Sequence, residues 1–493
     1  MAKVYPVRPV RRTRIAATLA APTVLAVTTA VVLAAAAATW VGGPVRAQPP
    51  APFGAARLGE PIVVPASAID RLIGTPAGHF YAYALHAGQW QRIALQLDER
   101  DADGAIVADG AGDGALSAGD ELVLLLDEAG ERAETGASPG GMTGATGRAE
   151  VRAAEPDDPE AAAYAYVFRH HAGPEDAPPR RIAWDPDELR ITSAHYALGL
   201  ADPDEDGFIG IEHLALADGP DLVDRLKFRG TLEFFGLPTV LTEESFADPL
   251  LAGLIGDVDF AVEPTKVGTV RAVFGTGEGA SVYPRRGAML TGLEGLEDVG
   301  GGSPLPIVLT DLRVSLDLLP AASGATYADA NLTDGVPVDG QPDAVPGEPL
   351  PAYRELRTAA GRIVLLPGDA AAGAADPGSA RAFYADNAAG LPDDTGDGQS
   401  WGESGVTADT IEDMLAAGFP GRFVILPAES TATGAELAAA AASPLEVVVT
   451  ALDATDPPTA EPTPTSGATA IPSATAAVAS GRVFLPWCGQ RAQ

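Results

Sequence analysis

The chain carries a single cysteine, Cys488, among 493 residues, so no internal disulfide framework staples it together. Basic residues are scarce too: 32 Lys and Arg stand against 67 Asp and Glu, a net charge of −35. Nucleic acid and anionic membrane surfaces repel such a chain, and cations are drawn to it. The histidines at 79, 86, 170, 171, 195 and 213 show no zinc spacing, and His170-His171 reads as a solvated strand end. The strings Gly136–Gly140 and Gly398–Gly402 satisfy Gly-x-Ser-x-Gly, but neither joins a buried strand to a helix, as a nucleophile elbow requires. Gly275-Thr-Gly277-Glu-Gly279 has no following helix to cradle phosphate. Beyond residue 47 no apolar stretch reaches membrane length.

What is present begins at the N-terminus. Lys3, Arg8, Arg11, Arg12 and Arg14 precede an Ala/Val/Leu/Thr run from Ile15 to Val41, and Val45-Arg46-Ala47 offers a small-residue exit before Gln48. This order predicts an export signal over residues 1–47. The run is also long enough to stay as an uncleaved anchor, but Pro22 and the weakly apolar alanines favour cleavage. Arg14 occupies the place where a twin-arginine signal wants an apolar residue. The expected location is therefore extracellular or cell-surface associated.

The body reads as mainly β, with β-sandwich type domains, long acidic loops and few short helices. Phe80–Leu85 alternates large and small residues, and Arg92–Leu97 repeats the two-residue period. Further strands are expected at Glu121–Leu126, Tyr164–Phe168, Thr269–Phe274, Ile307–Leu319 with a turn, Arg362–Leu366, Phe423–Leu426 and Leu445–Ala451. Helical patterns occur at Thr407–Ala417 and Ala435–Ala442. With 43 prolines this argues against a parallel α/β sheet. The Gly/Ser/Pro-rich start of 130–159 predicts a linker between an N-terminal β domain, 48–129, and a larger β region, 160–453, of one or two domains. Residues 454–481 read as a Thr/Pro/Ala-rich stalk, and 482–493 as a C-terminal apolar tag. A Thr/Pro stalk ending in Val483-Phe484-Leu485-Pro486 resembles the sorting or surface-retention ends of exported proteins from filamentous bacteria.

A second resemblance spans most of the chain. Gln89-Trp90-Gln91-Arg92 through Asp101, Gly119–Val123, Asp221–Arg229, Asp339-Gly340-Gln-Pro-Asp343, Phe383–Asn387 and Asp394–Gly398 resemble an uncharacterised family of exported β-rich bacterial proteins. The resemblance implies an extracytoplasmic β-rich body and carries no activity with it.

Among chemical motifs, Asp202-Pro-Asp204-Glu-Asp206-Gly207-Phe208-Ile209 is the sharpest. Oxygens at alternate positions converge on a hard cation, the Phe208 carbonyl follows, and glycine allows the tight turn. The spacing fits a structural calcium ion, although His213 stands where a helix-loop-helix site has its bidentate Glu, and Glu212 is one residue short. The rival reading is an exposed acidic turn. Asp393, Asp394 and Asp397 around Gly396 form a second candidate calcium loop. The Asp-Gly pairs between Asp98 and Asp113 read as hairpin turns. Trp401 and Tyr384 are candidate stacking platforms for a sugar face, with a plug in the core as the alternative for Trp401.

The favoured function is a non-catalytic surface or envelope protein that binds a cell-envelope component or glycan, with calcium-stabilised loops. The alternative is a secreted glycan-cleaving enzyme using a pair of carboxylates.

Overall fold

The computed structural model describes residues 53–452, except 135, 143, 174–178, 203–209, 235, 248–262, 276–279, 289–306, 369–377, 393 and 419–420. Everything described belongs to the body that begins at Pro49. The segments expected to be an export signal, a stalk and an apolar tag lie outside the described residues.

The body is mainly β, and among the described residues it forms six sheets in which every strand pairing is antiparallel. One five-stranded sheet has the order Glu446–Leu452, Gly147–Ala154, Ala162–Arg169, Phe80–His86, Gln89–Ile93. Its alternation is used on both faces. Ala82 and Ala84 pack with Ala163, Ala165 and Val167 against Ile62, Leu122 and Leu124 of a neighbouring three-stranded sheet. Tyr81 and Tyr83 point the other way, onto Tyr166, Phe168 and Met142.

Two expectations change here. The strand expected over Arg92–Leu97 is two strands, Gln89–Ile93 and Gln96–Asp98, because the chain turns from one sheet into the next at buried Ala94. Within the stretch read as a linker, Gly147–Ala154 is a strand paired on both sides. Its Ala149, Val151 and Ala153 enter the core, while the Arg148 guanidinium lies 4.6 Å from the centre of the Tyr166 ring. The last strand of the described body, Glu446–Leu452, thus shares a sheet with Phe80–His86 and Gln89–Ile93 from near its start.

The central sheet has the order Leu237–Thr242, Val223–Phe234, Ile307–Leu318, Ser400–Ala408, Arg381–Asn387. Leu226, Phe228, Leu312, Val314 and Val406 enter a large core shared with Leu356, Ile363 and Phe423 of a six-stranded sheet. The turn expected inside Ile307–Leu319 is instead a bulge in one long strand, with Asp311 at φ 52°. Helices run Ile411–Ala416 and Gly434–Ala442, the second opened by a Thr433/Glu436 capping box.

Candidate functional site

The polar face of the central sheet holds a buried ionic corner. Alternation sends Leu226 and Phe228 into the core and turns Arg225 and Lys227 to the opposite face, where Lys227 stands across from Ser315 and Arg225 across from Asp317. The pairing register slips between Val223 and Arg225, and again between Leu316 and Leu318. Such bulges re-aim side chains, and these two flank Asp224 and Asp317. The loop before Ser400 then folds over the face. Gly396, at φ 68°, lies so close to Asp224 and Arg225 that a β-carbon would collide with both.

Lys227 is 1 % exposed, and its ammonium lies 2.7 Å from Asp317 Oδ2 and 2.6 Å from Asp394 Oδ1, also donating to the Gln399 carbonyl at 2.8 Å. Asp317 Oδ1 accepts the backbone N–H groups of Leu318 and Trp401, each at 3.0 Å. Asp394 Oδ2 accepts from Leu391 N, and it shares the single Ser400 hydroxyl proton with Glu403 at 2.8 and 2.9 Å. Ser315 also donates to Glu403, whose one cationic neighbour among the described ion pairs is Arg313 at 3.5 Å. Arg225 lies 3.6 Å from Asp224 and 3.9 Å from Glu243, and Thr395 donates to Glu243.

Seven carboxylates (Asp224, Glu243, Asp317, Asp394, Asp397, Glu403 and the exposed Glu244, 3.7 Å from Arg225) therefore face three cations, Arg225, Lys227 and Arg313. The protonation equilibria carry the imbalance. Burial raises the Asp317 carboxyl, and repulsion from Glu403 and Asp224 adds to this against the pull of Lys227, leaving it at about 8. Asp224 is raised by burial and by Asp397, and Glu243 by burial. Burial alone would lower Lys227, but Asp317 and Asp394 turn the balance and raise it. Burial works against Asp394 as well, yet its bonds from Lys227, Leu391 and Ser400 hold it below the usual range. Asp317 has the higher carboxyl because it is the more deeply buried of the two acids sharing one ammonium. Asp224, Asp317 and Asp397 each bring one carboxylate oxygen within 4.8 Å of the others, on a path from the buried Asp317 to the exposed Asp397.

Of the expected ligands, Asp397 groups with Asp224 and Asp317, whereas Asp394 stands outside that group of three and shares the Lys227 ammonium with Asp317. Asp393, Asp204, Asp206 and Phe208 lie outside the described residues. The base of the Asp202 loop is closed by Ala201 N donating to the Gly210 carbonyl at 2.9 Å. Ala201, Gly210 and Glu212 border a small space that Arg225 and Glu243 also line, so the described residues on either side of this stretch stand beside the same corner. His213 is engaged by Asp221 at 2.7 Å. Trp401 packs against the main core and under the Gly340 turn, with its indole N–H on Gln399. The Tyr384 ring lies 4.2 Å, centre to centre, from Tyr327.

Asp224, Asp317, Lys227 and Glu403 were not among the candidate ligands. The available signal was the charged alternation of Arg225, Lys227 and Arg229 through an apolar strand, matched by Arg313, Ser315 and Asp317. Compared with known protein families and with curated proteins, the chain matches none.

Proposed function

We propose that this is an exported, non-catalytic surface or envelope protein whose loops are tied down by a divalent cation, calcium by chemistry, and whose stiffened body binds a partner or glycan. The anionic excess of the corner at Asp224, Asp317 and Asp397 carries this reading. Calcium takes six to eight oxygens at about 2.3–2.6 Å, so ligand oxygens around one ion stand roughly 3–5 Å apart. The separation of the three carboxylates falls in that span. An ion there would join a strand end, a bulge and the loop that folds over them, and it would neutralise carboxylates that otherwise hold protons. A structural role is favoured over glycan cleavage because Asp317 is fully buried beneath Lys227 and two backbone N–H groups, where no sugar oxygen reaches it.

The test is thermal unfolding of the full chain with calcium and with chelator. At a hundredfold excess over Kd the ion adds about 2.7 kcal/mol, a rise of a few degrees in Tm. Asp397→Ala, at an exposed position, should abolish the rise, and Asp334→Ala, on an exposed turn, should preserve it. If parent and both variants melt alike under the two conditions, the corner is purely an internal ion network.

A further inference from the structure

We propose that His79 and His171 form a second metal site, of different chemistry, that takes a borderline-soft divalent ion such as Zn²⁺, Ni²⁺ or Cu²⁺. The two residues end neighbouring strands. Phe80 pairs with Arg169, and His170 N donates to the His79 carbonyl at 2.9 Å, so both backbones are held before any ligand arrives. Their ring centres are 4.8 Å apart with the planes at 80°. Zinc–imidazole bonds are about 2.0–2.1 Å, which puts each ring centre about 3 Å from the ion. Two rings sharing an ion at tetrahedral to square angles then stand roughly 4.5–5.3 Å apart, the spacing seen here.

A second observation points the same way. His79 Nδ1 is buried and has no hydrogen-bond partner, a state that costs free energy in a ring whose nitrogens both want one. His171 is exposed, which gives an ion a route in from solvent and leaves coordination positions for water. His170 plays another part, because its Nδ1 accepts the Ala172 N–H at 3.0 Å and fixes the turn that follows Ala162–Arg169. Imidazole pairs suit zinc, nickel and copper, whereas the carboxylate corner suits hard ions, so the two sites separate by metal.

The experiment is calorimetric titration of the full chain with Zn²⁺ or Ni²⁺ alone, in the Asp397→Ala background so that the carboxylate corner contributes least. His171→Ala should weaken binding ~100-fold, at least the loss that disturbing a ligand's support brings. Its metal-free Tm should stay unchanged, because the side chain is exposed. His79→Gln should match it in affinity. If His79→Gln does not fold, His171→Ala decides alone. No binding in the parent, or equal affinity in His171→Ala, overturns the proposal. Neither result bears on the calcium reading, whose test uses a different ion and different residues.

Discussion

Two buried ionic knots in this protein differ in their balance of charge. In the first, Arg271 donates to Asp98 at 2.9 Å and to Glu121, Lys266 reaches Asp98 at 3.4 Å, and Arg100 reaches Glu121 at 3.1 Å. Gln96 donates to the same Asp98, and the Tyr283 hydroxyl accepts from Arg271. Three cations meet two carboxylates, and the knot is complete with the protein's own groups. In the second, Lys227, Arg225 and Arg313 meet more than twice their number of carboxylates, and raised carboxyl groups hold part of the difference. A surplus of cations repels a metal ion, whereas a surplus of carboxylates attracts one, which is the basis of the calcium proposal.

Removing the central cation breaks either knot and should have the largest effect. Lys227→Met leaves buried Asp317 and Asp394 uncompensated, at a cost of about 3–5 kcal/mol in urea unfolding, whereas Arg271→Met leaves Lys266 on Asp98 and Arg100 on Glu121 and should cost less. The comparison sharpens when calcium is added: the Lys227→Met loss should be partly recovered, since a cation can occupy the vacated charge position, whereas Arg271→Met should show no recovery. Equal calcium responses in the two variants would erase the distinction drawn above.

A smaller effect is expected from pH. In chelator, the unfolded chain ionises Asp317 near the ordinary aspartate value, while the folded protein keeps the proton until about pH 8. The folded state then binds more protons across that window, so this group's contribution to stability falls as pH rises from about 4 to about 8. Asp317→Asn should flatten that limb of the Tm profile, and calcium should oppose it by binding the deprotonated form most tightly. A profile with the same slope in parent and variant would remove Asp317 as its source. His195 supplies an acid limb elsewhere. Burial, aided by Arg285, lowers it to about 4, so stability falls as pH drops from about 6.5 to 4, and His195→Gln should remove that fall.

The smallest effect belongs to charge pairs outside both knots. Arg381 and Glu348 meet at the surface with about half or more of each side chain exposed. Glu348→Ala should change stability by less than ~1 kcal/mol and leave the calcium response intact. A larger loss would mean that burial is not what separates the knots from the rest of the surface.

Legibility in the sequence followed the range of the interactions involved. Phe80–His86 was readable because large and small residues alternate over Tyr81–Ala84, the two tyrosines taking one face and the two alanines the other. The helix Gly434–Ala442 was readable because its alanines and its capping residues lie within one short segment. Gly147–Ala154 was not, since its Arg, Glu and Ala residues carry weak strand preference, and its charged face is acceptable only because Tyr166 and Phe168 from the next strand lie under Arg148. At the candidate site, Asp397 stood out in a glycine-bearing acidic loop. Asp317 did not, because nothing near it in the chain announces that it is buried beside Lys227.

The sequence by itself determined the β character, the excess of acid over base and the absence of an internal disulfide, since these depend on composition and on spacing within a strand. It also determined that carboxylates crowd the loops. Which of them meet was decided by tertiary structure. Two bulges and the long pairing of Val223–Phe234 with Ile307–Leu318 bring Asp224 and Asp317 to one place, and the fold of the loop before Ser400 adds Asp397. Charge repulsion and burial act through space, so the balance that separates the two knots exists only once distant strands have paired.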